Sequence, residues 1–93
     1  LEIASQELEE AAIWYETKSE GLGNRFLDTI QRKLQLIQQF PERYPKRKKS
    51  FREAIVKTFP YIIVYTFYKS ENTIVVNTIF HAKQSPKKKY RSL

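Results

Sequence analysis

The stretch that decides the fold is Ser5–Pro41, SQELEEAAIWYETKSEGLGNRFLDTIQRKLQLIQQFP, in which two helical patterns flank Gly21-Leu22-Gly23. In the first, Ala4, Leu8, Ala11, Ala12 and Tyr15 recur at helical spacing as one apolar stripe, which predicts a helix over Ser5–Lys18. Ser5 is placed to cap it, and Glu7, Glu9 and Glu10 put negative charge in the first turns, where the helix dipole favours it. The two glycines stop that helix and turn the chain. In the second pattern Phe26, Leu27, Ile30, Leu34 and Ile37 predict a helix from Asn24 to Phe40 with these five facing inward, ended by Pro41. Two helices joined by a tight glycine turn make an antiparallel hairpin. The GLG run is not a phosphate loop, because it lacks the preceding strand, the longer glycine spacing and the Lys-Ser/Thr ending that such a loop needs.

Beyond Pro41 the composition changes. Glu42–Ser50 (ERYPKRKKS) is polar, contains Pro45 and reads as a solvated loop. Three segments rich in β-branched and aromatic residues follow: Phe51–Phe59, Tyr61–Lys69 and Thr73–His81. Pro60 separates the first two, and Ser70–Asn72 makes a turn before the third. Alternation places Ile74, Val76, Thr78 and Phe80 on one face of the last strand and Val75, Asn77, Ile79 and His81 on the other. Both faces are partly apolar, so a central strand is expected there. Residues 82–93 (AKQSPKKKYRSL) form a basic tail without a core pattern, and Leu1–Ile3 fits the end of a further strand. The expected architecture is an α+β domain: an N-terminal helical hairpin packed on one face of a short, mostly antiparallel β-sheet.

Ninety-three residues allow a single domain over 1–93, and six Tyr, six Phe and one Trp supply a packed core. The absence of Cys excludes a disulfide framework, a thiolate nucleophile and a Cys-based zinc site. With one His and no calcium-type carboxylate loop, no metal site or cofactor is expected. The longest uncharged apolar stretch, Phe59–Tyr68, is about half a membrane span, and no signal-peptide pattern opens the chain. A soluble cytoplasmic protein is the expectation, and a chain without Met that starts at Leu1 suggests a missing or processed start. The net charge of +7 hides an asymmetry. Residues 1–45 carry five Lys/Arg against eight Asp/Glu, whereas residues 46–93 carry twelve against two. The positive field belongs to the second half and points to a polyanion or an acidic protein.

Within that half, Lys46, Arg47, Lys48 and Lys49 form one cationic run, and Lys87, Lys88, Lys89 and Arg91 form another. Each would add a salt-sensitive, sequence-independent attraction to nucleic acid, with Tyr44 and Tyr90 embedded as rings able to stack on bases. The bland reading of such a run is a solvated face. His81, at a strand end beside a cationic tail, suits a general base, since neighbouring cations favour a neutral imidazole; its bland role is packing at the sheet end. Arg52 shares a strand face with Ala54, Val56 and Thr58 and offers a planar fork to a phosphate, or alternatively a structural ion pair with a helix-1 Glu. Glu7, Glu9, Glu10, Glu16 and Glu20 read as a solvated helix face.

The order of these elements carries a resemblance. Glu9–Glu20 (EEAAIWYETKSE), followed by GLG and Arg25-Phe26-Leu27, resembles the first helical hairpin of the RelE/ParE superfamily of type II toxin–antitoxin toxins. So do Pro41-Glu42-Arg43-Tyr44-Pro45, Phe51-Arg52, Phe59-Pro60-Tyr61 with Tyr65, and Ile79-Phe80-His81 with Lys83 and Pro86. Members usually begin with a strand before helix 1, of which Leu1–Ile3 would be the remainder. The resemblance implies a growth-inhibiting toxin held inactive by a cognate antitoxin, expected to be acidic by charge complementarity. The superfamily divides by target: ParE-like members poison DNA gyrase, and RelE-like members cut ribosome-bound mRNA. Gyrase is the expected target here. The alternative, a metal-independent endoribonuclease, would use Arg52 and Lys83 as phosphate clamps, His81 as base or acid and Tyr90 as a stacking or proton-donating ring. A non-toxic RNA-binding module and a basic adaptor for an acidic protein are further alternatives. Antitoxin contact is expected at Ile13 and Trp14, which sit off the apolar stripe of helix 1, or at the sheet edge.

Overall fold

The structure, a computed structural model, describes residues 5–83, with side chains from Glu7 onward. Two helices, α1 (Ser5–Lys18) and α2 (Leu22–Gln39), precede four strands: β1 (Lys46–Lys48), β2 (Phe51–Val56), β3 (Tyr61–Tyr68) and β4 (Thr73–His81). A short 3-10 turn, Lys69–Glu71, joins β3 to β4. The strands form one sheet in the order β1-β2-β3-β4 with every neighbouring pair antiparallel. This is the α+β arrangement that the sequence pattern predicts. Ala4, Leu1–Ile3, the Ser5 side-chain cap and the tail beyond Lys83 lie outside the described residues.

Helix α2 buries Phe26, Ile30, Leu34 and Ile37, a stripe of spacing four, four and three that turns one face to the sheet. Leu27 does not join it and is 38% exposed. One residue past Phe26 is about 100° around the helix, and the stripe is narrower than the expected five positions. Among the described side chains of helix α1, Ala12 alone is buried, with Leu8, Ala11 and Tyr15 packed partly against the core. Small residues at the contact bring α1 down onto α2.

The crossing is closest at Gly23. A Cβ built there would lie 2.5 Å from the Ala12 carbonyl oxygen, so the two backbones touch with no room for a side chain. Gly21, which caps α2, has φ +84°, the left-handed region that glycine enters without a steric penalty. The first amides of a helix lack partners within it. Here Glu16 of α1 supplies them: its carboxylate accepts hydrogen bonds from the Gly21 and Gly23 N–H groups, each at 2.9 Å. Those two bonds, Gly21 first, hold the Glu16 carboxyl below its ordinary pKa. Glu16 lies on the exposed face of α1, as expected, and is in addition a capping group for the next helix.

The helix side of the sheet presents Ala54, Val56, Ile63, Tyr65 and Ile79 to α2, and Phe59 closes the core from the β2–β3 turn. Phe59 was expected within the strand; β2 ends at Val56, and Phe59 instead packs beneath α1. There its ring meets Tyr15 at 4.9 Å and Phe26 at 5.2 Å between centroids, and Phe26 meets Tyr61 at 5.0 Å. The β3–β4 register slips once: Val64 opposes Thr78 while Tyr65 opposes Val76, which leaves Asn77 as a bulge. Ile74, Val76 and Ile79 consequently pack against the core, whereas Thr78 and Phe80 sit on the opposite face. The simple alternation expected of β4 fails at that residue. Among the described residues β4 is also an edge strand, not a central one. The expected loop at Glu42–Ser50 contains β1, whose Lys46 and Lys48 pair with β2 across an irregularity at Arg47 and whose three residues stay exposed. A lysine-rich strand at an edge has no apolar pattern to read and discourages further pairing. No helix among the described residues is long and apolar enough to cross a membrane.

Two tests follow from the hairpin. Gly23→Ala should destabilise by about 1–3 kcal/mol despite alanine's better helix propensity, because the obstructing atom is a backbone carbonyl; urea unfolding measures it. Glu16→Gln should lower Tm at neutral pH. Since the folded carboxyl lies below the ordinary 4.5, its contribution is complete above that pH and is lost as pH falls through the lower folded value. The Tm gap between wild type and Glu16→Gln should therefore close on acidification; a gap constant down to strongly acid pH would exclude the cap.

Candidate functional site

The candidate residues collect at two places on the sheet. At the first, the loop after α2 is stitched down by side chains. Arg52 on β2 donates from Nη1 to the Glu42 carbonyl at 3.2 Å and to the Tyr44 carbonyl at 2.6 Å. The Tyr65 hydroxyl on β3 donates to the Pro41 carbonyl at 2.6 Å, and the Glu53 amide donates to the Pro45 carbonyl at 3.1 Å. Tyr65 is fully buried. Burial pushes its hydroxyl up to about 12, with the Arg52 charge opposing and Tyr44 adding, so the phenol stays a neutral donor. Arg52 thus holds the loop carbonyls of Glu42 and Tyr44.

Around this stitched loop stand the cations. Lys46, Arg47, Lys48 and Lys49 are all exposed on β1 and its turn to β2. Lys49 has φ +53° and with Ser50 forms the two-residue connection between the paired Lys48 and Phe51. The Lys33 ammonium lies 5.0 Å over the Tyr44 ring, and the Arg43 guanidinium lies 4.3 Å over Phe40. Tyr44 is half-buried and edge-on to Tyr65 at 6.4 Å, so its ring is not the open stacking platform that the sequence suggested. Sequence reasoning missed Lys33, which α2 carries over the Tyr44 ring, and Arg43, which lies in the loop and folds back over Phe40.

The second place is the far end of β4. His81 opposes Tyr61 in register, and their rings meet edge-on at 5.3 Å. The His81 Nδ1 accepts a hydrogen bond from the Lys83 amide at 3.1 Å, and the Lys83 side chain is exposed. Burial, and secondarily Tyr15, raise the Tyr61 phenol above its ordinary value. A cleft of about 310 Å³ opens here, lined by Glu7, Leu8, Glu10, Tyr61, Ile79, Phe80 and His81. Two carboxylates in that wall disfavour a phosphodiester.

Arg52 and His81 are not brought together. Arg52 pairs with Tyr65 and His81 with Tyr61, four residues apart on β3 and on opposite sides of it. That is about 13 Å along the strand and a further 9–10 Å across. Tyr90, Lys87, Lys88, Lys89 and Arg91 lie outside the described residues. Among the described residues no three His, Cys, Asp or Glu side chains gather to hold a metal.

A third surface lies on α1. Ile13 and Trp14 are 65% and 56% exposed. The Trp14 ring packs edge-on to Tyr15 at 5.1 Å with the Lys18 ammonium 4.9 Å above it, so the indole is held in place yet uncovered.

No individual curated protein and no solved structure matches the chain with significance. The sequence model of a family described as ParE toxin of type II toxin-antitoxin system, parDE, matches residues 2–86. The match spans both helices, the stitched loop and all four strands. The chain belongs to the ParE toxin family of type II toxin–antitoxin systems.

Proposed function

We propose that this toxin arrests growth in the cytoplasm by inhibiting DNA gyrase and that its cognate antitoxin is acidic and grips α1. The separation of Arg52 from His81 carries the choice of target. Cleavage of mRNA needs a base, an acid and a cation at one phosphodiester. The Arg52 guanidinium is turned to loop carbonyls instead, and the cleft beside His81 is lined by Glu7 and Glu10. The chain is better suited to holding a target than to hydrolysing one. Purified protein should inhibit gyrase supercoiling while mRNA in a translating extract stays uncut by primer extension. Codon-positioned cuts that disappear in His81→Ala would reverse the assignment.

Ile13 and Trp14 support the antitoxin contact. An exposed indole next to an exposed aliphatic is the kind of anchor that carries binding energy at interfaces, and an acidic partner suits a chain of net charge +7. Trp14→Ala should weaken binding of the antitoxin encoded beside the toxin by about tenfold or more, with little change in Tm. Calorimetric titration with that antitoxin measures both partners directly. Equal affinity for wild type and Trp14→Ala would remove α1 from the interface.

A further inference from the structure

The stitched loop and the β1–β2 turn concentrate positive charge, with no carboxylate between, within residues 43–49. Lys46, Arg47 and Lys49 come from the strand and its turn, and Arg43 from the loop. Among the described residues no carboxylate lies at ion-pair distance from Lys46, Arg47 or Lys49. The carboxylate within the loop, Glu42, is already offset by Lys69 at 3.5 Å. The Arg52 and Tyr65 hydrogen bonds fix the loop backbone, so these cations project from a set frame rather than a free tail.

We infer that this corner is a contact for the phosphate backbone of duplex DNA, with Arg43, Lys46, Arg47 and Lys49 as its cations. Two observations select the partner. Protein interfaces have an apolar centre, whereas here the one large apolar side chain exposed beside the cations, Phe40 at 45%, lies at the margin under the Arg43 guanidinium, and residues 41–52 add none. Single strands are held on open aromatic rings, and the rings at hand already carry cations: Lys33 over Tyr44 and Arg43 over Phe40. What remains is clustered charge without stacking or base readout, the chemistry of backbone binding. That the duplex is DNA rests on the gyrase reading, and the corner would then grip the DNA on which gyrase acts.

The test is fluorescence anisotropy of a labelled mixed-sequence DNA duplex with the full chain, between about 50 and 200 mM salt. Lys46→Gln/Arg47→Gln/Lys49→Gln should reduce the slope of log K against log salt by about 2–3 and weaken binding roughly a hundredfold at the low-salt end. Arg25→Gln/Lys57→Gln, exposed charges on other elements, should leave the slope close to wild type. An unchanged slope in the triple variant, or tighter binding of single-stranded RNA than of duplex by wild type, overturns the proposal. Supercoiling assays on the same proteins separate the two readings. Duplex binding that depends on these cations, without gyrase inhibition, removes the gyrase reading and leaves the contact standing. Gyrase inhibition with an unchanged salt slope in the triple variant does the reverse.

Discussion

The contact on which the rest depends is the approach of two backbones at Gly23, where the Ala12 carbonyl fills the space of a Cβ. With the helices that close, the Glu16 carboxylate reaches the Gly21 and Gly23 amides, so one side chain satisfies the start of α2 and ties it to the end of α1. The same approach lets Tyr15 drop between Phe26 and Phe59. Those rings extend to Tyr61 and thence to His81. A glycine in the hairpin thereby sets the position of one sheet end. The opposite side of α1 is left with Ile13 and Trp14 facing outward, because Ala12 and Tyr15 occupy its inner face.

The other end of the sheet is organised by unpaired carbonyls. Pro41 and Pro45 cannot donate from their own nitrogens, and the loop between them is too short for regular structure. Its carbonyls at Pro41, Glu42, Tyr44 and Pro45 are taken up by Tyr65, Arg52 and the Glu53 amide. A charged donor suits this role, since hydrogen bonds involving an ionised group are about twice as strong as neutral ones. The loop is fixed without an apolar anchor on its outer side, which leaves that side to cations. The positive half of the sequence becomes a positive corner through this stitching.

Much of this was legible in the sequence. The α2 stripe of Phe26, Ile30, Leu34 and Ile37 announces a helix on a core, and the glycine pair announces the hairpin. Leu27 reads as inward yet lies exposed, because identity alone does not separate a residue at the stripe's margin from one inside it. Strand β1 carries no periodic apolar signal, since lysines at an edge are paired through their backbones. The bulge at Asn77 is equally silent, because counting alternate residues presumes an unbroken register. Arg52 stands out in the sequence as a cation on a strand face with Ala54, Val56 and Thr58, yet its partners are backbone carbonyls, which have no letter in the sequence. The distance between Arg52 and His81 could not be read without the pairing of β2 and β4 on either side of β3.

The placement of these surfaces constrains how a toxin of this shape can be neutralised. Trp14 lies near the Ala12–Gly23 crossing, whereas the cationic corner begins beyond Phe40, at the other end of α2. From Gly23 to Phe40 is about 25 Å of helix, roughly three Debye lengths at physiological salt. Negative charge docked at Trp14 would be almost fully screened at the corner and could not cancel its field from there. An antitoxin that anchors on α1 and silences the corner must therefore run the length of α2, carrying its acidic residues to Arg43 and the β1 turn. One confined to α1 would have to act by covering the target's own contact on the helical hairpin. Physical reach, rather than total charge, decides between these modes.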